Sequence, residues 1–421
     1  MPRIAALIAL TLAALLPLQA LAGGLPAATK PEDVGLSSTR LARIESTLRA
    51  DAEKGRIPGA VVLVARQGRV AYLTSVGLRD PGSKTPMTAD SIFAIASMTK
   101  PMTSVAAMML YEEGRLLISD PVSKYLPAIG AMQVGVERTD TTGKTTVLLT
   151  PVERQMTIQD LLRHTSGLTY NNRGTTAVHK LYPDMSAARS AGPDEFIALL
   201  AKAPLRFSPG TRWEYSHATD VLGRVVEVVS GTTLGGFLQE RVWSPLKMAD
   251  TAFWVEPAKQ PRLARPFAKD PDTGNAPSIR NVTERPKFEC GGGCAVSTAG
   301  DYARFAQMLL NGGTLDGVRI LGRKTVEYMT SDHLGPSIAR DGVYIPGDGY
   351  GFGLGFAVRG GAGVANTNGS AGDFNWGGAY GTYFWVDPKE QLVVVSMTQA
   401  PGPIRTHYRQ LIRGLVYQAL E

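Results

Sequence analysis

The sequence predicts an α/β (α+β) fold: an antiparallel sheet flanked by helices, built from both chain ends, around a mainly helical inserted domain. Three observations predict it. A hairpin pattern, "AVVLVARQGRVAYLTSVG", turns at Gln67-Gly68 near the start, and a second, "GTYFWVDPKEQLVVVSMTQ", turns at Asp387-Pro388 near the end. Helical periodicity precedes the first hairpin and follows the second. Between them, residues 116–288 carry mostly helical patterns. The boundaries that follow are 23–115 with 289–421 for the α/β domain and 116–288 for the insertion.

The elements can be justified in order. Residues 36–54 place Leu41, Ile44 and Leu48 at helical spacing, and Gly55 and Pro58 close the element. Behind Ser97, "PMTSVAAMMLYEEGRL" reads as a mostly apolar helix ending at Gly114, with Pro101 tolerated in its first turn. The middle holds a hairpin turning near Thr142-Gly143. Thr157 and Asp160 then form a capping box that leads into "HTSGL". Helical patterns recur around 194–202 and 218–229. "STAGDYARFAQMLLNGG" is amphipathic, with Tyr302, Phe305, Met308 and Leu309 on one face and Gly312-Gly313 as its stop. Trp376-Gly377-Gly378 is expected to open a strand, and a last helix covers about 402–419. A cleft between the two domains is the natural place for a site.

Composition narrows the function classes. With 44% apolar and 19% charged residues the chain is an ordinary globular one. The start, "MPRIAALIALTLAALLPLQALAGG", has one Arg before an apolar run and Ala20-Leu21-Ala22 as a cleavage site, so residues 1–22 read as a signal peptide. The alternative is an uncleaved anchor, which Pro17 disfavours. The expected location is therefore secreted or periplasmic. No later stretch has the length and apolarity of a span, so no stable membrane anchor is expected. Cleavage removes one Arg, taking Lys+Arg from 44 to 43 against 37 acids and the net charge from +7 to +6. That charge is spread along the chain with no basic stripe, which argues against nucleic acid as a partner.

Cys290 and Cys294 flank "GGG"; in an exported chain they read as a disulfide, with two free thiols as the alternative. Neither the cysteines nor the five histidines have metal-ligand spacing, so no metal and no cofactor is expected. His164 in "RHTSG" reads as a structural hydrogen bonder.

The chemistry centres on "FAIASMTK". A serine hydroxyl is a poor nucleophile until a base takes its proton. Ser97 and Lys100 are one helical turn apart and share a face, and burial of Lys100 would favour its neutral, proton-accepting form. The tetrapeptide alone is a weak signal: Ser244-Pro245-Leu246-Lys247 has the same spacing and reads as a loop, and Ser97 could equally be a helix cap. "PGTRWEYSHATDVLG" adds Tyr215, a phenol able to relay protons beside a cation. "FNWGGAYGTYFWV" adds Trp376-Gly377-Gly378, where glycines admit a substrate close to the backbone and the next N–H can face an oxyanion. Taken alone, Tyr215 could be a core aromatic and the Trp-Gly-Gly a bulge.

In order and context these stretches, with "IPGAVVLVARQG", "LLRHTSGL" and "GYGFGLGF", resemble the serine β-lactamase/penicillin-binding protein superfamily. The nearest branch is that of class C β-lactamases and family VIII carboxylesterases. The resemblance implies a serine β-lactamase-like fold, Ser97 as acylated nucleophile, Lys100 as its partner base and Tyr215 as a second base. It also implies an oxyanion hole of the Ser97 and Ala379 N–H groups, with His217, Trp376, Gly377 and Gly378 lining the substrate. Tyr170-Asn171-Asn172 also spells the family's Tyr-x-Asn but lacks its context, and is set aside as a decoy. Two departures stand out: Trp376 replaces the lysine of a Lys-Thr-Gly, and His217 stands where an Asn is common. The implied activity is an exported serine hydrolase acting on a small-molecule ester or amide, with short to medium acyl esters first. A β-lactamase or D-amino acid peptidase, an acyltransferase and a non-catalytic binding module are the alternatives. The sequence leaves the oligomeric state open.

Overall fold

The computed structural model describes residues 24–184, 190–340 and 343–421; the expected signal peptide, residues 1–22, lies outside the described residues. From the N-terminal side come α1 (Ser38–Glu53), the long hairpin β1 (Gly59–Arg66) and β2 (Arg69–Asp80), the short β3 (Thr85–Pro86) and β4 (Phe93–Ala94), and α2 (Thr99–Glu112). The middle contributes α3 (Ala218–Ser230). The C-terminal part adds β5 (Val296–Ser297), α4 (Ala299–Leu310), β6 (Tyr350–Phe352), β7 (Ala357–Arg359), β8 (Phe374–Gly377), β9 (Tyr383–Asp387), β10 (Leu392–Thr398) and α5 (Ile404–Tyr417).

Eight strands form one sheet in the order β6-β7-β8-β9-β10-β1-β2-β3. Its centre joins the two chain ends: β1 runs antiparallel to β10, with Ala60 opposite Thr398 and Arg66 opposite Leu392. This is the expected architecture, and alternation along the two strands explains it. Val61, Leu63 and Ala65 of β1 and Val393, Val395 and Met397 of β10 face one core, shared with α2 and α4. Ala60, Val62 and Val64, with Leu392 and Val394, face a second core against α1 and α5. Both faces are covered, so these strands read as continuous apolar runs rather than alternating ones.

The helices follow from their caps and stripes. Ser37 caps α1 by accepting from the Arg40 N–H, and Leu41, Ile44 and Leu48 are its buried stripe. The other side of α1 faces solvent. α2 has no solvent-facing side from Thr99 to Leu110, as expected of a central core helix. In the middle segment, Val134–Thr139 pairs with Thr145–Thr150 as a hairpin, and the capping box at Thr157 starts a short helix at Ile158–Leu162. Ser244-Pro245-Leu246-Lys247 lies in a turn. Among the described residues, no single helix is long and apolar enough to cross a membrane.

One expectation needs correction. Trp376-Gly377-Gly378 does not open a strand: Trp376 and Gly377 end β8, and Gly378 begins the turn to β9. Gly381, at φ +107°, takes a conformation open mainly to glycine, and its N–H closes the turn on the Gly378 carbonyl at 3.2 Å.

Candidate active site

The site is assembled from all three parts of the chain. β4 ends at Ala94, and the backbone reverses through Ala96, a non-glycine residue at φ +43°. Such a conformation persists only where the surroundings hold it. Here Thr99 donates to the Ala96 carbonyl (2.7 Å) and accepts from the Ala295 N–H (3.0 Å), while the Tyr302 hydroxyl donates to the Met98 carbonyl (2.8 Å). Ser97 thus sits at the lip of α2, half-buried, while its neighbours on both sides are buried.

Lys100, one turn on, is 2% exposed, and its Nζ lies 3.5 Å from Ser97 Oγ. It also donates to the Gly292 carbonyl at 2.5 Å and to the Tyr170 hydroxyl at 3.3 Å. The face of the Tyr215 ring lies 4.5 Å from the same nitrogen. Three oxygens and a ring face surround this nitrogen, so its burial is compensated. The two phenols are used differently. Tyr170, set aside in the sequence, reaches Lys100 with its hydroxyl. Tyr215 presents its ring, and its buried hydroxyl has no hydrogen-bond partner among the described residues. An unsatisfied buried hydroxyl is uncommon and marks a group with capacity left for a ligand.

Gly292 belongs to the "GGG" turn, whose ends the structure pairs as a Cys290–Cys294 disulfide with Cα atoms 5.3 Å apart. The turn is fixed from two sides: Thr103 donates to the Gly291 carbonyl (2.9 Å), and Asp220 accepts from the Gly292 N–H (2.7 Å). Asp220 also lies 3.2 Å from His217 Nδ1. Burial alone would raise the Asp220 carboxyl, but the His217 hydrogen bond, the charges of His217 and Lys100 and the Gly292 N–H hold it below the usual range. His217 itself is 1% exposed, caps α3 and packs edge-on against Tyr170 at 4.3 Å between centroids. His164 is also buried, 3.3 Å from the Ser216 hydroxyl and against the Tyr215 ring at 4.8 Å. Burial, then the charges of Lys100 and Arg173, push it well below the usual histidine range, so it is neutral.

The far wall is Trp376, buried against Tyr215 (5.4 Å) and Phe352 (5.3 Å). Next to it the turn at 378–381 leans on the chain just before Ser97, for Thr382 donates to the Ile95 carbonyl at 3.1 Å. Ala379 is exposed on this turn. No described hydrogen bond uses the N–H of Ser97 or of Ala379. Sequence reading missed Tyr170, Asp220 and Gly292. The first carried a signal, its Tyr-x-Asn, and Asp220 stands one helical turn after His217. Gly292 meets Lys100 through its carbonyl, so no local pattern reports it. Among the described residues no cluster of acidic, histidine or cysteine side chains is suited to a metal.

The arrangement places one serine hydroxyl beside a buried amine and two tyrosine rings, the groups a serine hydrolase uses. Comparison with known proteins agrees. The family model described as Beta-lactamase matches residues 44–417. Esterase EstB of Burkholderia gladioli is 30% identical over 414 residues, covering 92% of this chain and 98% of the relative. A lovastatin esterase of Penicillium rubens is 30% identical over 409 residues, covering 89% and 98%. The solved structure of EstCE1, described as a hydrolase with promiscuous acyltransferase activity, superposes with a TM-score of 0.75 at 29% identity, covering 90% of this chain and 99% of that one. The chain therefore belongs to the beta-lactamase family, and is a serine hydrolase of its carboxylesterase-like kind.

Proposed function

We propose that the protein is a carboxylesterase that works through an acyl-enzyme on Ser97 and prefers neutral esters of short to medium acyl chains. The observation that carries this reading is the placement of Ser97 Oγ 3.5 Å from the buried Nζ of Lys100, with two phenols beside it. Ser97 attacks the ester carbonyl and its proton passes to the Lys100–tyrosine group. The tetrahedral oxygen is held by the N–H groups of Ser97 and Ala379. Collapse expels the alcohol, which takes the proton back, and water repeats the sequence to release the acid. The indole of Trp376 and the aromatic rings around it give an acyl chain an apolar wall. The names of EstB and the lovastatin esterase support ester cleavage. Export rests on the signal-like residues 1–22 and places the reaction outside the cytoplasm. A second reading, transfer of the acyl group to an alcohol, is favoured by the promiscuous transfer named for EstCE1.

The test is a panel of p-nitrophenyl esters, nitrocefin and D-alanyl peptides, run with wild type and Ser97→Ala, with and without added alcohols. Esters should be turned over fastest, and Ser97→Ala should be inactive. A kcat/KM for nitrocefin equal to or above that for p-nitrophenyl butyrate would overturn the esterase reading.

A further inference from the structure

Trp376 brings no charge to the end of β8, yet a cation stands there. Arg409 reaches across from α5 and lays its guanidinium on the backbone of Gly377. A methyl group built on Gly377 would lie 2.6 Å from Arg409 Cζ and Nη2 and 2.9 Å from Nε, so the seat exists only because residue 377 has no side chain. Nη2 donates to the Gly378 carbonyl at 2.5 Å and is 3.4 Å from the Thr382 carbonyl. These two residues bound the turn that presents Ala379: the Gly378 N–H donates to the Thr382 carbonyl (2.8 Å) and the Gly381 N–H to the Gly378 carbonyl (3.2 Å).

The placement is costly. Among the described residues no carboxylate pairs with Arg409, its Nε is buried without an acceptor, and burial pulls the guanidinium down to about 10. The Tyr383 ring lies 5.5 Å from its guanidinium. A half-buried cation without a counter-ion is held by something other than ion pairing, here the two carbonyls.

We propose that Arg409 is a positioning residue for the oxyanion turn. It ties the carbonyls of Gly378 and Thr382 from outside so that the Ala379 N–H is fixed relative to Ser97, and it adds positive charge behind the place where the tetrahedral oxygen forms. The proposal rests on the reading of Ser97 and Ala379 as the oxyanion donors. It also gives Gly377 a role distinct from substrate approach, as the socket for the guanidinium.

The experiment compares Arg409→Ala, Arg409→Lys, Gly377→Ala and the Arg409→Ala/Gly377→Ala double variant. The readouts are turnover of p-nitrophenyl butyrate and of an ester carrying a free carboxylate, the rate of Ser97 labelling by a fluorophosphonate, and the thermal midpoint. Arg409→Ala should lower kcat by about 10–10²-fold, below the usual loss of a whole oxyanion donor, with KM within about threefold. Labelling should slow in parallel, added guanidinium ion should restore part of kcat, and Arg409→Lys should fall between. Gly377→Ala should reproduce the loss, and the double variant should be no worse than either single one, as expected of two halves of one contact. An unchanged kcat in Arg409→Ala overturns the proposal. So does a rise in KM confined to the carboxylate ester, which would make Arg409 a substrate receptor. A kcat loss with no rescue and a matching fall in thermal midpoint also overturns it. Failure of the esterase reading shows separately, as wild type without ester turnover, and the labelling comparison still reports on Arg409 in that case.

Discussion

The hydroxyl of Tyr170 lies 3.3 Å from Nζ of Lys100, a closer polar contact than Lys100 makes with Ser97 itself at 3.5 Å. The amine is thus held by one phenol and covered by the ring of another, Tyr215. The two tyrosines should differ when tested. Tyr215 has its hydroxyl uncommitted, so Tyr215→Phe should cost on the order of 10²–10⁴ in turnover, the scale of a lost proton carrier. Tyr170→Phe removes the hydrogen bond between the phenol and the Lys100 nitrogen and should cost about tenfold. Steady-state kinetics of both variants decide this, and the reverse ranking would make Tyr170 the proton carrier.

Ser97 should carry the acyl group. Mass spectrometry after a fluorophosphonate or a slowly released ester should place the adduct on residue 97. Labelling of Ser244 or Ser370, or full activity in Ser97→Ala, would remove Ser97 from the mechanism.

The Cys290–Cys294 pair closes a loop with a sequence separation of 4. Denatured, unreduced protein should show no free thiol. A loop this short contributes on the order of 2 kcal/mol by chain entropy, and its turn carries the carbonyl that receives Lys100. The Cys290→Ser/Cys294→Ser variant should therefore lose turnover as well as stability. A loss of stability with turnover intact would show that Thr103 and Asp220 hold the turn unaided.

Asp301, in the first turn of α4, is held by the Asp250 N–H (2.7 Å) and the Thr251 hydroxyl (3.0 Å), yet burial pushes its carboxyl up to about 6 from the usual 3.8. A carboxyl raised in the folded state binds protons that the unfolded state has released. Its contribution to stability is complete below about 4 and is lost as pH rises through about 6. Asp301→Asn keeps an acceptor and removes the titration. Denaturant unfolding from pH 4 to 7 should show wild type losing ground against Asp301→Asn as pH rises. Parallel profiles would mean that Asp301 is ionised throughout.

Much of the fold was legible because its signals are local. The hairpin at Gln67-Gly68, the stripe of Leu41, Ile44 and Leu48, and the Thr157 capping box all depend on neighbours a few residues away. The spacing of Ser97 and Lys100 was legible for the same reason. The end of β8 was misread because Trp376-Gly377-Gly378 looks alike at either end of a strand, and only the pairing of Gly377 with Tyr383 shows which end it is. Tyr170 was set aside because its flanking text is unlike the motif it mimics, whereas proximity to Lys100 is set by the path of residues 163–173 through the middle of the chain. Arg409 could not be read at all: its partner is a backbone seat, and an empty side chain leaves no residue-type signal.

The pairing of β1 with β10 joins residues 60 and 398, and this governs how the protein is made. The helix behind Ser97 is synthesised within the first third of the chain, but the strand beside it has no second partner until nearly the whole polypeptide has left the ribosome. Throughout that interval β1, apolar on both faces, presents an open edge of the kind that templates aggregation. Folding is thereby deferred to the end of synthesis, and a nascent chain stalled before residue 392 carries Ser97 and Lys100 but lacks both the sheet's central pairing and the helix that holds Arg409.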